Sequence, residues 1–332
     1  MAGRVRTPRR SIKREPSRLA PGPHSRQNTH MRWLLLLLVA TTTQARMSPV
    51  VIVRDPATPN VPAMVAAGLK KLTGAATETE AWHTFVSSND VVGIKISTRT
   101  APLQATRRSV VDALVAGLES AGVAATNIWV FDRDPRKMQL AGYTGPQDAA
   151  IIGGTGWDAA VFYENRLVGK LIWGDLLFGK VDELDTRSHF PKLLTQKLTK
   201  LINVPVLQDH DPCGLAGGLY NISVGLVDNY RRFEDPRLPA DAALFEIAAH
   251  PAVAHKLVLN VLDALVAGYA GGPEFKPQYS WPAGALYFSS DPVAVDNAGL
   301  ELLQTKRREK QVPPLRVPPG LGGPVTVIEA AP

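Results

Sequence analysis

The chain has 332 residues, 45% hydrophobic and 20% charged, with one cysteine and a formal net charge of +7. This composition excludes wholesale disorder and a disulfide scaffold, and a lone Cys213 leaves no thiol pair for zinc, for redox exchange or for an iron–sulfur cluster. Residues 1–30 hold eight of the 37 Lys and Arg but only Glu15 among the acids, so the rest of the chain is neutral and its basic balance is no argument for nucleic-acid binding.

Residues 1–30 read as a disordered basic extension or as the product of a start codon placed upstream of the true one, Met31. Met31-Arg32, the apolar run Trp33 to Ala40 and the small polar stretch Thr41 to Ala45 then predict a signal peptide over 31–45, with a mature start near Arg46 and a periplasmic or extracellular destination. The alternative is a basic arm on a cytosolic protein. The apolar run is far shorter than the about 20 residues that cross a bilayer, so no retained membrane span is expected.

From Ser48 the pattern alternates short β-branched runs with helical spacing, which predicts an α/β domain over 46–315: a mixed, largely parallel sheet with helices on both faces. Strands are expected at 50–53, 91–97 and 127–131, with helices at 61–72 and from a Thr106 cap to Gly122 between them. The stretch 143–192 is irregular, with short strands around Val161 and Leu171. A strand at 200–207 runs into Asp209-His210-Asp211, a glycine-bearing loop and a helix from Leu219. A helix at 241–249, a buried strand from Lys256 ending at Asp263, a strand at 286–289 and a helix from Pro292 to about Gln304 complete the domain. Residues 316–332 read as an extended tail.

Four motifs in this order resemble the family known as domain of unknown function 362, in particular its exported bacterial branch. They are Val92-Gly93-Ile94-Lys95-Ile96-Ser97, the run Ile202 to His210, Asp263-Ala264-Leu265 with Gly271-Gly272-Pro273, and Ser290-Asp291-Pro292-Val293-Ala294-Val295-Asp296. The resemblance spans roughly 50–315 and brings no reaction with it. Relatives tend to show lysine at position 208 and a Lys-Asn pair at 220 and 221, where this chain has Gln208 and Tyr220-Asn221.

Parallel sheets collect functional groups at the carboxyl ends of their strands. On that rule the candidate catalytic residues are Lys95, Asp209, His210 and Asp263, and the candidate ligand contacts are Asn203, Gly217, Gly218, Asn221 and Asp296. Lys95 sits in an apolar strand, so it either reaches solvent along its stem, pairs with a carboxylate or meets an anionic ligand. His210 between two carboxylates suits a general base or a metal shell, and Asp132, after the 127–131 strand, suits a helix cap or a divalent-metal ligand with His210. Gly217 and Gly218 could offer backbone N–H groups to an anion. A semi-buried Asp296 needs a partner, for which Lys95 is the candidate. These placements predict an enzyme acting on a small anionic molecule, with or without a divalent metal; the alternative is a non-catalytic ligand-binding protein of the same fold. Oligomeric state is not legible.

Overall fold

The computed structural model describes residues 48–165, 186–234 and 241–332; the expected leader and the run around Leu171 lie outside them. In chain order the elements are β1 (Val50–Arg54), α1 (Val61–Thr73), α2 (Glu78–His83), β2 (Val92–Ile96), α3 (Arg108–Ser120), β3 (Ile128–Asp132), α4 (Pro135–Leu140), β4 (Asp148–Ala150), β5 (Trp157–Glu164) and β6 (Arg187–Pro191). They continue as β7 (Lys200–Val204), β8 (Val206–His210), β9 (Gly214–Ala216), α5 (Gly218–Ile222), α6 (Asp241–Ala248), α7 (Pro251–Ala254), β10 (Leu257–Gly268), β11 (Ser280–Trp281), β12 (Ala285–Ser289), α8 (Pro292–Glu309) and β13 (Val327–Ala330).

Among the described residues one sheet runs in the order β13-β1-β12-β10-β7-β2-β3-β4, with β8, β9 and β11 attached near the end of β10, and β5 and β6 form a separate hairpin. The path from β10 through β7, β2 and β3 to β4 is parallel, while β12 is antiparallel to both its neighbours. This is the expected mixed, largely parallel sheet. Successive strand residues face opposite sides. Val92, Ile94 and Ile96 pack with α1 and α3 on one face, whereas Phe131, Leu201, Leu262 and Tyr287 pack with α5, α6 and α8 on the other. All five residues of β2 are buried, as a strand covered on both sides requires. No helix among the described residues is long and apolar enough to cross a membrane.

The structure departs from the sequence expectations at four places. The 200–207 strand is two strands, broken at Pro205, which has no N–H for a ladder. The strand expected to stop at Asp263 continues to Gly268, because the carboxylate finds N–H donors where it stands. Thr106 does not cap α3; its hydroxyl donates to Val204 O and accepts from Ser97 N, and Asp263 instead receives the Arg107 amide. Residues 327–330 form β13, pairing in parallel with β1.

Connections from β2 to β3 to β4 step along the sheet in one direction, and that from β7 to β10 steps in the other. The reversal falls between β2 and β7, and the crevice outside such a reversal is where open α/β sheets place ligands. The 97–107 loop, leaving β2, occupies this crevice.

Candidate functional site

One row of side chains crosses four strands on the α5 face. Register pairs Lys95 of β2 with Asn203 of β7, Asn203 with Asn260 of β10, and Asn260 with Ser289 of β12. All four are buried. Lys95 Nζ donates to Asp132 Oδ1 at 2.8 Å, Ile96 O at 2.8 Å and Asn221 Oδ1 at 2.9 Å, which occupies every ammonium donor. Asn221 Nδ2 donates to Asn203 Oδ1 at 2.8 Å, and Asn203 Nδ2 donates to Asn260 Oδ1 at 2.8 Å and Gly218 O at 2.9 Å. Asp132 Oδ2 accepts from both the amide and the hydroxyl of Thr98.

Burial pulls the Lys95 ammonium below the usual lysine range, with Asp132 opposing that shift. Burial alone would raise the Asp132 carboxyl, but the Lys95 charge and hydrogen bonds outweigh it and hold it below the usual range. The hydrogen-bonding capacity of the pair is taken up inside the protein. Asp132 caps no helix: that role for α4 belongs to Asp134, which accepts from Arg136 N and Lys137 N.

Next to this network, on the other side of Tyr220, stands a second group. His210 is fully buried, with its ring 4.6 Å from that of Tyr220. Its Nδ1 accepts from Cys213 N at 3.3 Å, which places the proton on Nε2, 3.6 Å from Glu234 Oε1. That separation is too long for a hydrogen bond, and Nε2 has no other partner among the described residues. Glu234 Oε1 accepts the Tyr220 hydroxyl at 2.5 Å and lies 3.5 Å from Arg99 Nη2. Burial keeps His210 neutral by lowering its pKa, and burial raises the Tyr220 phenol well above its ordinary value. Glu234 stays below the usual carboxylate range because His210 and Arg99 outweigh its burial. The Arg99 guanidinium lies 5.8 Å from the Tyr220 ring centre, and its Nη1 is buried without a hydrogen-bond partner among the described residues. A cavity of about 40 Å³ opens here, lined by Thr98, Arg99, Arg133, Lys137, Tyr220 and Asn221 among others.

The remaining predicted residues lie apart from this cavity. Asp209 faces away from its neighbour His210; its carboxylate takes the Gly272 amide at 3.0 Å and lies 3.7 Å from Arg307. Asp263 points to the α3 face, receiving Arg107 N at 2.9 Å and Leu265 N at 3.0 Å, opposite to the face of the Lys95 row. Of the two glycines only Gly218 offers its amide, together with Leu219, and the acceptor is the protein's own Asp296, which takes Gly218 N on one oxygen and Leu219 N on the other. The expected Lys95–Asp296 pair does not form, since Asp132 lies closer along the same sheet edge and takes the ammonium. Asp132 and His210 share no metal shell: their polar partners are different residues, and no cluster of three or more His, Cys, Asp or Glu suited to a metal occurs among the described residues. Gln208, where relatives tend to show lysine, donates to Pro273 O at 3.2 Å.

Sequence reasoning passed over Arg99 and Glu234. Arg99 carries a readable signal, because it lies three residues beyond the end of β2, in the loop that enters the crevice. Glu234 carries none; it reaches the site through the fold of residues 224–234 around Tyr220.

No curated protein matches the chain in sequence. A crystal structure of a structural-genomics target protein from Thermotoga maritima aligns at 11% identity with a TM-score of 0.41, over 71% of this chain and 57% of that one. The chain thus spans little more than half the length of that structure. The family described as a domain of unknown function (DUF362) matches residues 92–301, the span that carries the Lys95 row, the Tyr220 group and the Asp296 clasp. Since this is well over half of the sequence, the chain belongs to the DUF362 family.

Proposed function

We propose that the chain binds a small anionic molecule, bearing phosphate or carboxylate, in the Arg99 cavity and acts on it as an enzyme. The observation that supports this is Arg99 Nη1, a buried cationic donor with no partner among the described residues, in a cavity that Lys137 and Arg133 also line. Leaving such a donor unpaired costs more than a neutral group would, so an anion placed there is favoured. Beside it, Tyr220 can accept a proton from the bound molecule while passing its own to Glu234, with neutral His210 behind that carboxylate.

A non-catalytic binding protein is the second reading, and the full occupancy of Lys95 favours it, because this lysine on the cavity wall has no donor left for chemistry. Thermal unfolding with inorganic phosphate and a panel of small carboxylates tests the common part. The expected result is stabilisation of the wild type that Arg99→Ala abolishes; equal stabilisation of both proteins would reject the site. Recovery of a bound metabolite chemically unchanged after prolonged incubation separates binding from catalysis.

The pattern at 31–45 supports export as part of the same proposal. N-terminal sequencing of cell-free protein should find a start near Arg46, and an intact Met1 or Met31 there would reject it.

A further inference from the structure

The 97–107 loop has a second side. There a cavity of about 470 Å³ is lined by Leu103, Gln104, Arg107, Ser109, Leu140 and Asp263 among others, none of which lines the Arg99 cavity. Its size is that of an ordinary small-molecule site, and it lies at the crevice where the sheet order reverses.

We propose that this cavity binds a free α-amino acid with an apolar side chain. Three features, each on a different wall, carry the proposal. The first is Gln104, which is only 7% exposed. Its Nε2 donates to Val266 O at 2.9 Å, which fixes the amide orientation and leaves Oε1 as a buried acceptor without a partner among the described residues. The Asp263 carboxylate lies on the same wall; each of its oxygens accepts one N–H and keeps capacity for another donor. Two acceptors on one wall suit an ammonium group.

The second feature is the start of α3, a helix of 13 residues with no side-chain cap of its own. The Arg107 amide is taken by Asp263, but the amides of Arg108 and Ser109 begin the helix and have no intrahelical acceptor. They lie on the cavity wall together with the exposed Arg107 side chain, a setting that suits a carboxylate. Arg108 contributes less, being held by Asp112 at 2.7 Å and Asp148 at 2.9 Å.

The third feature is the rim. Leu103 is 63% exposed and Leu140 54% exposed, the two highest values among the large apolar side chains of the described residues, and both border this one cavity. Scattered exposed leucines need no explanation, whereas two framing a polar cavity form an apolar mouth. An amino acid places its ammonium at Gln104 and Asp263, its carboxylate at the helix start and its side chain between the leucines.

Isothermal titration of the purified chain with L-phenylalanine and L-leucine tests this. The expected result is binding with a Kd of about 1 mM or tighter. 3-Phenylpropionate, which lacks the amine, and phenethylamine, which lacks the carboxylate, should each bind at least about tenfold more weakly. Gln104→Leu should lose about tenfold while the chain stays folded, at a melting temperature lowered by the lost bond to Val266 O, and Leu140→Asp, at an exposed position, should weaken phenylalanine without affecting the fold. Absence of heat for both amino acids, binding of either analogue as tight as that of phenylalanine, or wild-type affinity in both variants each overturns the proposal. Because Arg99 is not part of this wall, Arg99→Ala should leave the phenylalanine affinity unchanged, which keeps the outcome separate from that of the anion cavity.

Discussion

Lys95 and Asp296 hold opposite ends of one five-residue helix without touching each other: Asp296 takes the Gly218 and Leu219 amides at the start of α5, and Lys95 bonds the Asn221 side chain near its end. A helix that short is unstable alone. Its position is set by a lysine from the sheet and an aspartate from α8, and this in turn places Tyr220 between His210 and Arg99.

Lys95→Met removes the ammonium while nearly keeping the stem volume, so Asp132 remains as a buried carboxylate without its cation. The expected loss is roughly 3 to 5 kcal/mol by urea unfolding, and adding Asp132→Asn should recover part of it. A loss below about 1 kcal/mol would mean that solvent screens the pair.

Burial raises the Asp296 carboxyl from 3.8 to about 7. Between those values the folded chain holds a proton that the unfolded chain has released, so the contribution is complete at acid pH and is lost as pH rises through about 7. Asp296→Asn should therefore flatten the fall in stability between pH 4 and pH 7, by an amount of the order of 4 kcal/mol at about 1.4 kcal/mol per pH unit. A pH series of unfolding curves for both proteins reads this directly, and parallel curves would contradict it.

At Gly217 an added Cβ would stand 2.2 Å from Asp296 Oδ1. Because that oxygen is held by a backbone amide, it cannot move aside without giving up the contact. Gly217→Ala is expected to cost about 1 to 3 kcal/mol and to weaken phosphate stabilisation through displaced Tyr220. Unfolding midpoints at wild-type values would show that the clasp tolerates the methyl group.

Burial pushes the Cys213 thiol up to about 12. Thiolate is the reacting form, so iodoacetamide at pH 8 should leave the native chain unmodified and label it fully in urea. Mass spectrometry after a timed exposure measures both states.

Regular strands and helices were legible where one physical rule dominated. The run Val92 to Ile96 is apolar but for one residue and is buried throughout, and Asp291 both precedes a proline and caps α8 as its type suggests. The carboxyl-edge rule failed at Asp263 because a strand end was inferred from a charged residue, and tertiary amides from Arg107 and Leu265 let the strand run on through it. Likewise, the glycines before a helix suggested amides offered to a ligand, but that pattern is blind to a carboxyl group supplied from 78 residues further along the chain, which takes the Gly218 amide. Arg99 was within reach of the carboxyl-edge rule, three residues beyond β2, whereas Glu234 became visible only once the loop carrying it was folded against Tyr220.

The polar row across the sheet has a bearing on how the strands find one another. Apolar strands of five residues can slide past each other at little cost in hydrophobic contact, and a slip of one position exchanges the faces. Here a slip of β7 against β2 would place Asn203 opposite Ile94 or Ile96 and strand its amide among the α1 and α3 side chains, while a slip of two would leave Lys95 facing Leu201. Lys95, Asn203, Asn260 and Ser289 thus work as teeth of a key, each admitting its neighbour at one setting only, and alanine at Asn203 should allow misaligned strands to accumulate during refolding.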